Sequence, residues 1–211
     1  MVEVAEYPYG GFIVPAPNPS LRPSESIHFS RIVTKIVESL EFRVNCLLTI
    51  HGLCKDFMID RRRFYDVLNV LEVIGFCKKI APNEIIWYGK QRFKKLLTDN
   101  SYFARNKRSE SNKNSISTIC SQIINWFINQ NSNLMTIKNI TDMMGKYKEI
   151  SKTTTCKLYQ STYILCAAGI LTKCETPSEF IMNDEYFSFI KSRYESIFSI
   201  NHLLNKKPKQ L

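Results

Sequence analysis

A chain of 211 residues with 44% hydrophobic and 12% aromatic content can bury a core in one large domain or two small ones, which excludes a wholly disordered protein. Lys and Arg outnumber Asp and Glu by 29 to 19, so the net charge of +10 and a pI near 9.3 favour nucleic acid or another acidic surface as partner. Seven scattered cysteines without a CxxC, no apolar run of membrane-spanning length, and an opening MVEVAEYPYGGF without a basic start argue against zinc, disulfides, a membrane partner and a secretory signal. A soluble intracellular protein is expected.

Residues 1–25 read as a mobile arm, because five of the eight prolines fall between Tyr7 and Ser24. From His28 the pattern turns helical: Ile32, Val33, Ile36, Val37 and Leu40 recur at spacings of a helix face. A second short helix is expected over Leu47 to Phe57. Asp60 then offers an N-cap to a third helix that begins with Arg61, Arg62 and Arg63 and stops at Gly75. Two β-prone runs follow, around Phe76 to Ile80 and Glu84 to Tyr88, with Ala-Pro-Asn between them as a turn. Three helices and a hairpin over residues 26–90 make a winged helix, a variant of the helix-turn-helix.

The same order recurs. LLTIHGLCKDF from Leu47 lines up with LMTIKNITDMM from Leu134 at an offset of 87, and FYDVLNVLEVIGF from Phe64 lines up with LYQSTYILCAAGI from Leu158 at an offset of 94. The second copy therefore gains seven residues between its second and third helices, within GKYKEIS, where a loop absorbs them. The expected organisation is mainly α with small β wings, in two tandem winged-helix domains at 26–90 and 114–183. Residues 91–113 form a basic linker whose first part can extend as a helix, and 184–211 a C-terminal helix and basic tail. Lys90 to Lys113 carries eight Lys or Arg against two Asp or Glu.

Fold alone does not give function, since many winged helices bind only protein. In the third helix, Phe64, Val67, Leu68, Leu71 and Gly75 share a core face, whereas Arg62, Asp66, Asn69 and Val73 lie opposite. Three like charges at a helix N-terminus are unfavourable to the helix dipole, so they are either solvated decoration or await an anionic partner. Their place at the head of a third helix before a wing, in a basic chain, favours the partner. An arginine fork can donate two hydrogen bonds to guanine O6 and N7. Asp66, four residues after Arg62, could hold that arginine extended, and Tyr65 could touch phosphate or a base edge. Lys78 and Lys79 at the start of the wing are further phosphate candidates.

RRRFYDVLNVLEVIGFCKK followed by NEIIWYG resembles the DNA-binding domain of the E2-factor/DP cell-cycle transcription factors. The resemblance runs from about Ser26 to Gly89 and rests on Arg62, Arg63, Phe64, Tyr65, Asp66, Asn69, Val70, Leu71, Trp87 and Gly89. It implies that Arg62 and Arg63 read guanines of a GC-rich core, with Tyr65 and Asp66 supporting them. Usual members carry a coiled coil and a dimerisation domain after this domain. Here a second winged helix takes that place, as in atypical members with two tandem DNA-binding domains. Those members keep the arginine signature in both copies, whereas here Thr155, Cys156 and Lys157 replace the three arginines and Gln160 replaces Asp66, leaving Tyr159. The second copy is thus expected to be degenerate: it touches backbone through Lys152 and Lys157, serves as a built-in dimerisation partner, or only packs.

The remaining features are weaker. His28, His51 and His202 show no metal or nucleophile spacing, and no Gly-rich phosphate loop is present, so no enzyme, cofactor, metal or small-molecule substrate is expected. NKKPK from Asn205 resembles a short nuclear import signal, and Lys107 and Arg108 in the linker are candidate backbone contacts. The leading expectation is a nuclear, sequence-specific regulator of transcription on double-stranded DNA. Its rivals are one half of a heterodimer with a DP-like or E2-factor-like chain, and an interaction scaffold of paired winged helices. Val70 and Val73, with Ile164 and Ala167 at matching places, suggest that the two copies pack as a pseudo-dimer, giving a monomer that binds one site alone.

Overall fold

The structure, a computed structural model, describes residues 23–98, 115–145, 151–176 and 178–192. The first repeat comprises α1 (Pro23–Ser39), β1 (Cys46–Thr49), α2 (Ile50–Asp56), α3 (Arg61–Val73), β2 (Cys77–Ala81), β3 (Glu84–Trp87) and α4 (Gln91–Thr98). The second comprises α5 (Ile116–Gln130), β4 (Leu134–Thr136), α6 (Ile137–Gly145), α7 (Lys152–Ala167), β5 (Leu171–Lys173), β6 (Glu179–Met182) and a helix α8 over 184–192. The fold is mainly helical with two small antiparallel sheets, of order β1-β3-β2 and β4-β6-β5. The two winged helices therefore follow one another with the same topology.

The second helix of each repeat is shorter than its apolar pattern suggests. Cys46 to Thr49 is a strand, with Cys46 opposite Trp87 and Thr49 opposite Glu84, and helix begins only at Ile50. Thr49 switches the chain from one to the other: its backbone is extended, and its side chain accepts a hydrogen bond from Gly52 N at 3.2 Å. Leu134 to Thr136 repeats this, pairing with Ile181 to Glu179. Each wing is thus a three-stranded sheet rather than a hairpin, and its turn is tied to the second helix. Ile50 N donates to Asn83 O at 2.8 Å, and Ile137 N donates to Ser178 O at 2.9 Å.

The third helices end alike. Gly75 and Gly169 both take φ of +74°, a left-handed conformation that lets the chain leave the helix for the wing. The next residue then donates back, Phe76 N to Leu71 O and Ile170 N to Leu165 O, each at 2.9 Å. At Gly75 a side chain also has no room, since a Cβ would lie 2.3 Å from Leu96 Cδ1.

Two expected boundaries shift. α1 starts at Pro23, inside the expected arm, whose other residues lie outside the described ones. The start of the expected linker is α4, with Phe93 and Leu97 fully buried. Phe93 meets Tyr186 of α8 edge-on at 5.1 Å, so the helix after each wing packs on its counterpart. The rest of the linker, with Lys107 and Arg108, and the tail with NKKPK lie outside the described residues.

One apolar core runs through both repeats. α3 packs on α5 and α1 packs on α7, so the first helix of each repeat lies against the third helix of the other, while α3 and α7 also touch. That exchange is a pseudo-twofold arrangement. It explains why α3 is buried on more than its own core stripe: Val70 is fully buried and Val73 is 8% exposed, as is natural if a second domain covers them. Ile164 at the place matching Val70 is buried too.

Candidate nucleic-acid interface

Because α5 and α7 cover the C-terminal half of α3, its polar surface is confined to the first turns. Asp60 caps the helix, its carboxylate accepting from Arg62 N at 2.9 Å and Arg63 N at 3.3 Å. An acid at this end offsets both the unsatisfied amides and the dipole, and it permits the three arginines that follow. Arg61, Arg62 and Arg63 are all exposed. Among the described residues no carboxylate forms an ion pair with Arg62 or Arg63.

Tyr65 joins the arginines to the wing. Its hydroxyl donates to Pro82 O in the β2–β3 turn at 2.7 Å and accepts from Arg61 Nη2 at 3.4 Å, and the Arg61 guanidinium lies 5.8 Å from the ring centre. The hydroxyl thereby ties the wing turn to the arginine cluster. Asn69 and Lys79 are likewise engaged with each other: Lys79 Nζ donates to Asn69 Oδ1 at 2.7 Å and pairs with Glu72 at 3.3 Å, while Lys79 N donates to Glu72 Oε1. The neighbouring Lys78, in contrast, presents an exposed ammonium at the start of the wing. Glu72 and Pro82, which hold this arrangement, left no signal in the sequence, since each acts across elements.

Asp66 departs furthest from expectation. It does not pair with Arg62; instead its carboxylate accepts from Gln160 Nε2 of the second repeat at 2.9 Å, in a half-buried position. A contact between residues 94 apart could not be seen in the local spacing of α3. The shared offset of 94 was the available clue, because it places these two residues at equivalent positions of the repeats.

The matching tip of the second repeat is built differently. α7 is capped by Ser151, whose side chain accepts from Thr154 N at 3.2 Å, so the helix starts one turn earlier than α3 does. Thr154, the counterpart of Asp60, is 4% exposed inside the helix, and Thr155, Cys156 and Lys157 are half-buried. Lys152, in contrast, is exposed at the new helix start. This surface is basic without an arginine fork.

Burial pushes the Cys77 and Cys166 thiols up to about 12, so they stay protonated at neutral pH and are poor ligands or nucleophiles. Among the described residues no cluster of His, Cys, Asp and Glu is arranged to hold a metal, and no helix is long and apolar enough to cross a membrane.

Comparison with known proteins points to the same part of the chain. Residues 27–89 match the winged-helix DNA-binding domain of the E2-factor/DP family, taking in the first repeat from α1 to the end of the wing. Human transcription factor E2F8 is 32% identical over 68 residues, which is 32% of this chain and 8% of that protein. The mouse protein of the same name is also 32% identical over 68 residues, with the same coverage. Transcription factor E2F8 of Xenopus tropicalis is 33% identical over 52 residues, 25% of this chain and 7% of the relative. The first repeat is thus a winged helix of the E2-factor/DP type, while the chain spans under a tenth of the length of these relatives.

Proposed function

We propose that this protein is a nuclear transcription regulator that binds double-stranded DNA sequence-specifically, with Arg62 and Arg63 at the tip of α3 reading guanines of a GC-rich site in the major groove. The observation that carries this is the exposure of three consecutive arginines on the first turn of a helix whose later turns are buried or half-buried. Groove binding needs such a projecting, cationic tip, and paired arginine forks suit adjacent guanines. Arg61, hydrogen-bonded to Tyr65, and Lys78 on the wing contribute phosphate contacts on either side. Gene control of the cell-cycle type is the regulatory role the family likeness suggests.

The second repeat acts as the built-in partner. It covers the helices through which the first repeat could pair with another winged helix, so one chain suffices per site, and no DP-like chain is required. Its exposed Lys152, with Lys157, supplies backbone contacts without base reading. The bound site is therefore asymmetric, with one GC-rich half.

Selection of full-length protein on a random duplex pool, followed by sequencing of retained DNA, tests this. One GC-rich half-site at one chain per duplex is expected. Absence of any enriched sequence would return the protein to the scaffold class, and enrichment only after a DP-like chain is added would make it half of a heterodimer.

A further inference from the structure

We infer that Asn83 is a positioning residue for the arginine tip, because it anchors the wing turn to α2 and thereby sets the carbonyl that holds the Tyr65 hydroxyl beside Arg61. The anchor has two parts. Asn83 O accepts from Ile50 N at 2.8 Å, and Asn83 Oδ1 accepts from His51 N at 3.0 Å. Thr49 takes the next amide, Gly52 N, so the first three amides of α2 are all used and two of them hold the turn. One residue before Asn83, Pro82 O accepts from the Tyr65 hydroxyl at 2.7 Å, and that hydroxyl in turn accepts from Arg61 Nη2 at 3.4 Å. The Arg61 guanidinium also lies 5.8 Å from the Tyr65 ring centre, within reach of a cation–π attraction. A relay therefore runs from α2 through the wing turn to one guanidinium on α3. An exposed arginine has many rotamers to lose when it meets a phosphate, and one already directed loses fewer.

The second repeat separates the part of this anchor that serves the fold from the part that serves the tip. Its wing turn reads Pro177-Ser178 where the first reads Pro82-Asn83. The backbone bond is kept, with Ile137 N donating to Ser178 O at 2.9 Å, and Thr136 again takes the third amide, Asn139 N, at 3.0 Å. The side-chain bond is not repeated among the described residues, since a serine hydroxyl lies one bond nearer the backbone than an asparagine oxygen. Thr155 stands where Arg61 does, so the copy without the arginine is also the copy without the side-chain anchor, although its sheet keeps the same strand order. An anchor needed for folding would be present in both. The effect on binding rests on the reading of Arg61 as a phosphate contact; the relay itself does not.

The test uses full-length protein with Asn83→Ser, Arg61→Ala and both together, measuring affinity for a GC-core duplex, melting midpoint, and the heteronuclear NOE of the Arg61 Nε–H group without DNA. Asn83→Ser introduces the second repeat's own residue and should melt close to the native protein. It should weaken binding about threefold to tenfold, the scale of one hydrogen bond. That loss should appear only while Arg61 is present, so that adding Asn83→Ser to Arg61→Ala weakens binding no further. The Arg61 NOE should fall in Asn83→Ser. The same loss with and without Arg61 would overturn the assignment, since Asn83 would then act elsewhere on the wing. If the protein binds no duplex, or Arg61→Ala leaves binding unchanged, the phosphate reading of Arg61 fails and the NOE alone decides the relay: a lower value in Asn83→Ser supports it, and an unchanged value overturns it. Should Asn83→Ser not fold, Tyr65→Phe, which keeps the ring and removes the hydroxyl, cuts the same relay and is judged by the same outcomes.

Discussion

The two repeats keep one architecture and differ most at the start of the third helix. Their shared positions are apolar or conformational: Phe64 and Leu158, Leu71 and Leu165, Gly75 and Gly169 do the same work in each copy. Their divergent positions lie at the start of the third helix, where Asp60-Arg61-Arg62-Arg63 caps and projects in one copy, and Thr154-Thr155-Cys156-Lys157 is drawn into the helix body in the other. A fold needs its buried pattern, whereas a reading surface needs particular donors at an exposed helix start, so one can persist after the other has gone. The arrangement also gives the altered copy a structural place, because its helices pack on α1 and α3 of the first repeat.

The largest expected effect comes from breaking that cover. Val70→Glu would bury an unpaired carboxylate between the repeats, at a cost of about 3–5 kcal/mol measured by denaturant unfolding. Val73→Glu, at the edge of the contact, should cost less and should weaken DNA binding although it removes no groove contact. Equal stability of the Val70 variant and the native protein would mean that the repeats do not rest on one another in solution.

Next in size is the arginine tip of α3. Arg62→Ala or Arg63→Ala should each lower affinity for a GC-core duplex by about 1–3 kcal/mol, with a smaller loss on scrambled duplexes and an unchanged melting midpoint. Equal loss on both duplexes would reduce these residues to phosphate contacts. The converse graft sharpens the comparison: Thr155→Arg/Cys156→Arg should not add a second guanine half-site, because those positions sit one turn inside α7 and are half-buried. A second selected half-site would show that only the side chains, and not the helix start, separate the two copies.

What the sequence revealed and what it hid follow from the range of the interactions. Periodicity located the core stripe of α3, from Phe64 to Leu71, and the stop at Gly75, because both depend on residues within two turns. It also revealed the repeat, since apolar positions were kept at constant offsets. It misread Leu47 to Thr49 as helix, because a short apolar run suits a strand equally and only pairing with β3 decides. It missed α4 and α8 as parts of the repeat, which retain packing through Phe93 and Tyr186 without retaining residues. At the site it marked the exposed arginine tip, which is set locally by its own cap, but it did not announce that Tyr65, Asp66, Asn69 and Lys79 have partners in Pro82, Gln160 and one another. Those partners come from other elements, and no local spacing announces them.

The smallest effects should appear in salt dependence, where single lysines can be told apart. Each phosphate contact on duplex DNA contributes about 0.9 to the slope of log affinity against log salt. Lys78→Ala should remove roughly that much, because its ammonium is exposed on the wing beside the arginine tip. Lys79→Ala should leave the slope nearly unchanged, since its ammonium is held between Asn69 and Glu72 and offers less to a phosphate. In the second repeat, Lys152→Ala should lower the slope without altering the selected sequence, and Lys157→Ala should do less, as it is half-buried. Lys107 and Arg108, neutralised together, should each reduce the slope by somewhat under one unit if the linker runs along the backbone. Equal slopes for the Lys78 and Lys79 variants would mean that the network around Glu72 opens on binding, and a changed motif in the Lys152 variant would make the second repeat a reader in its own right.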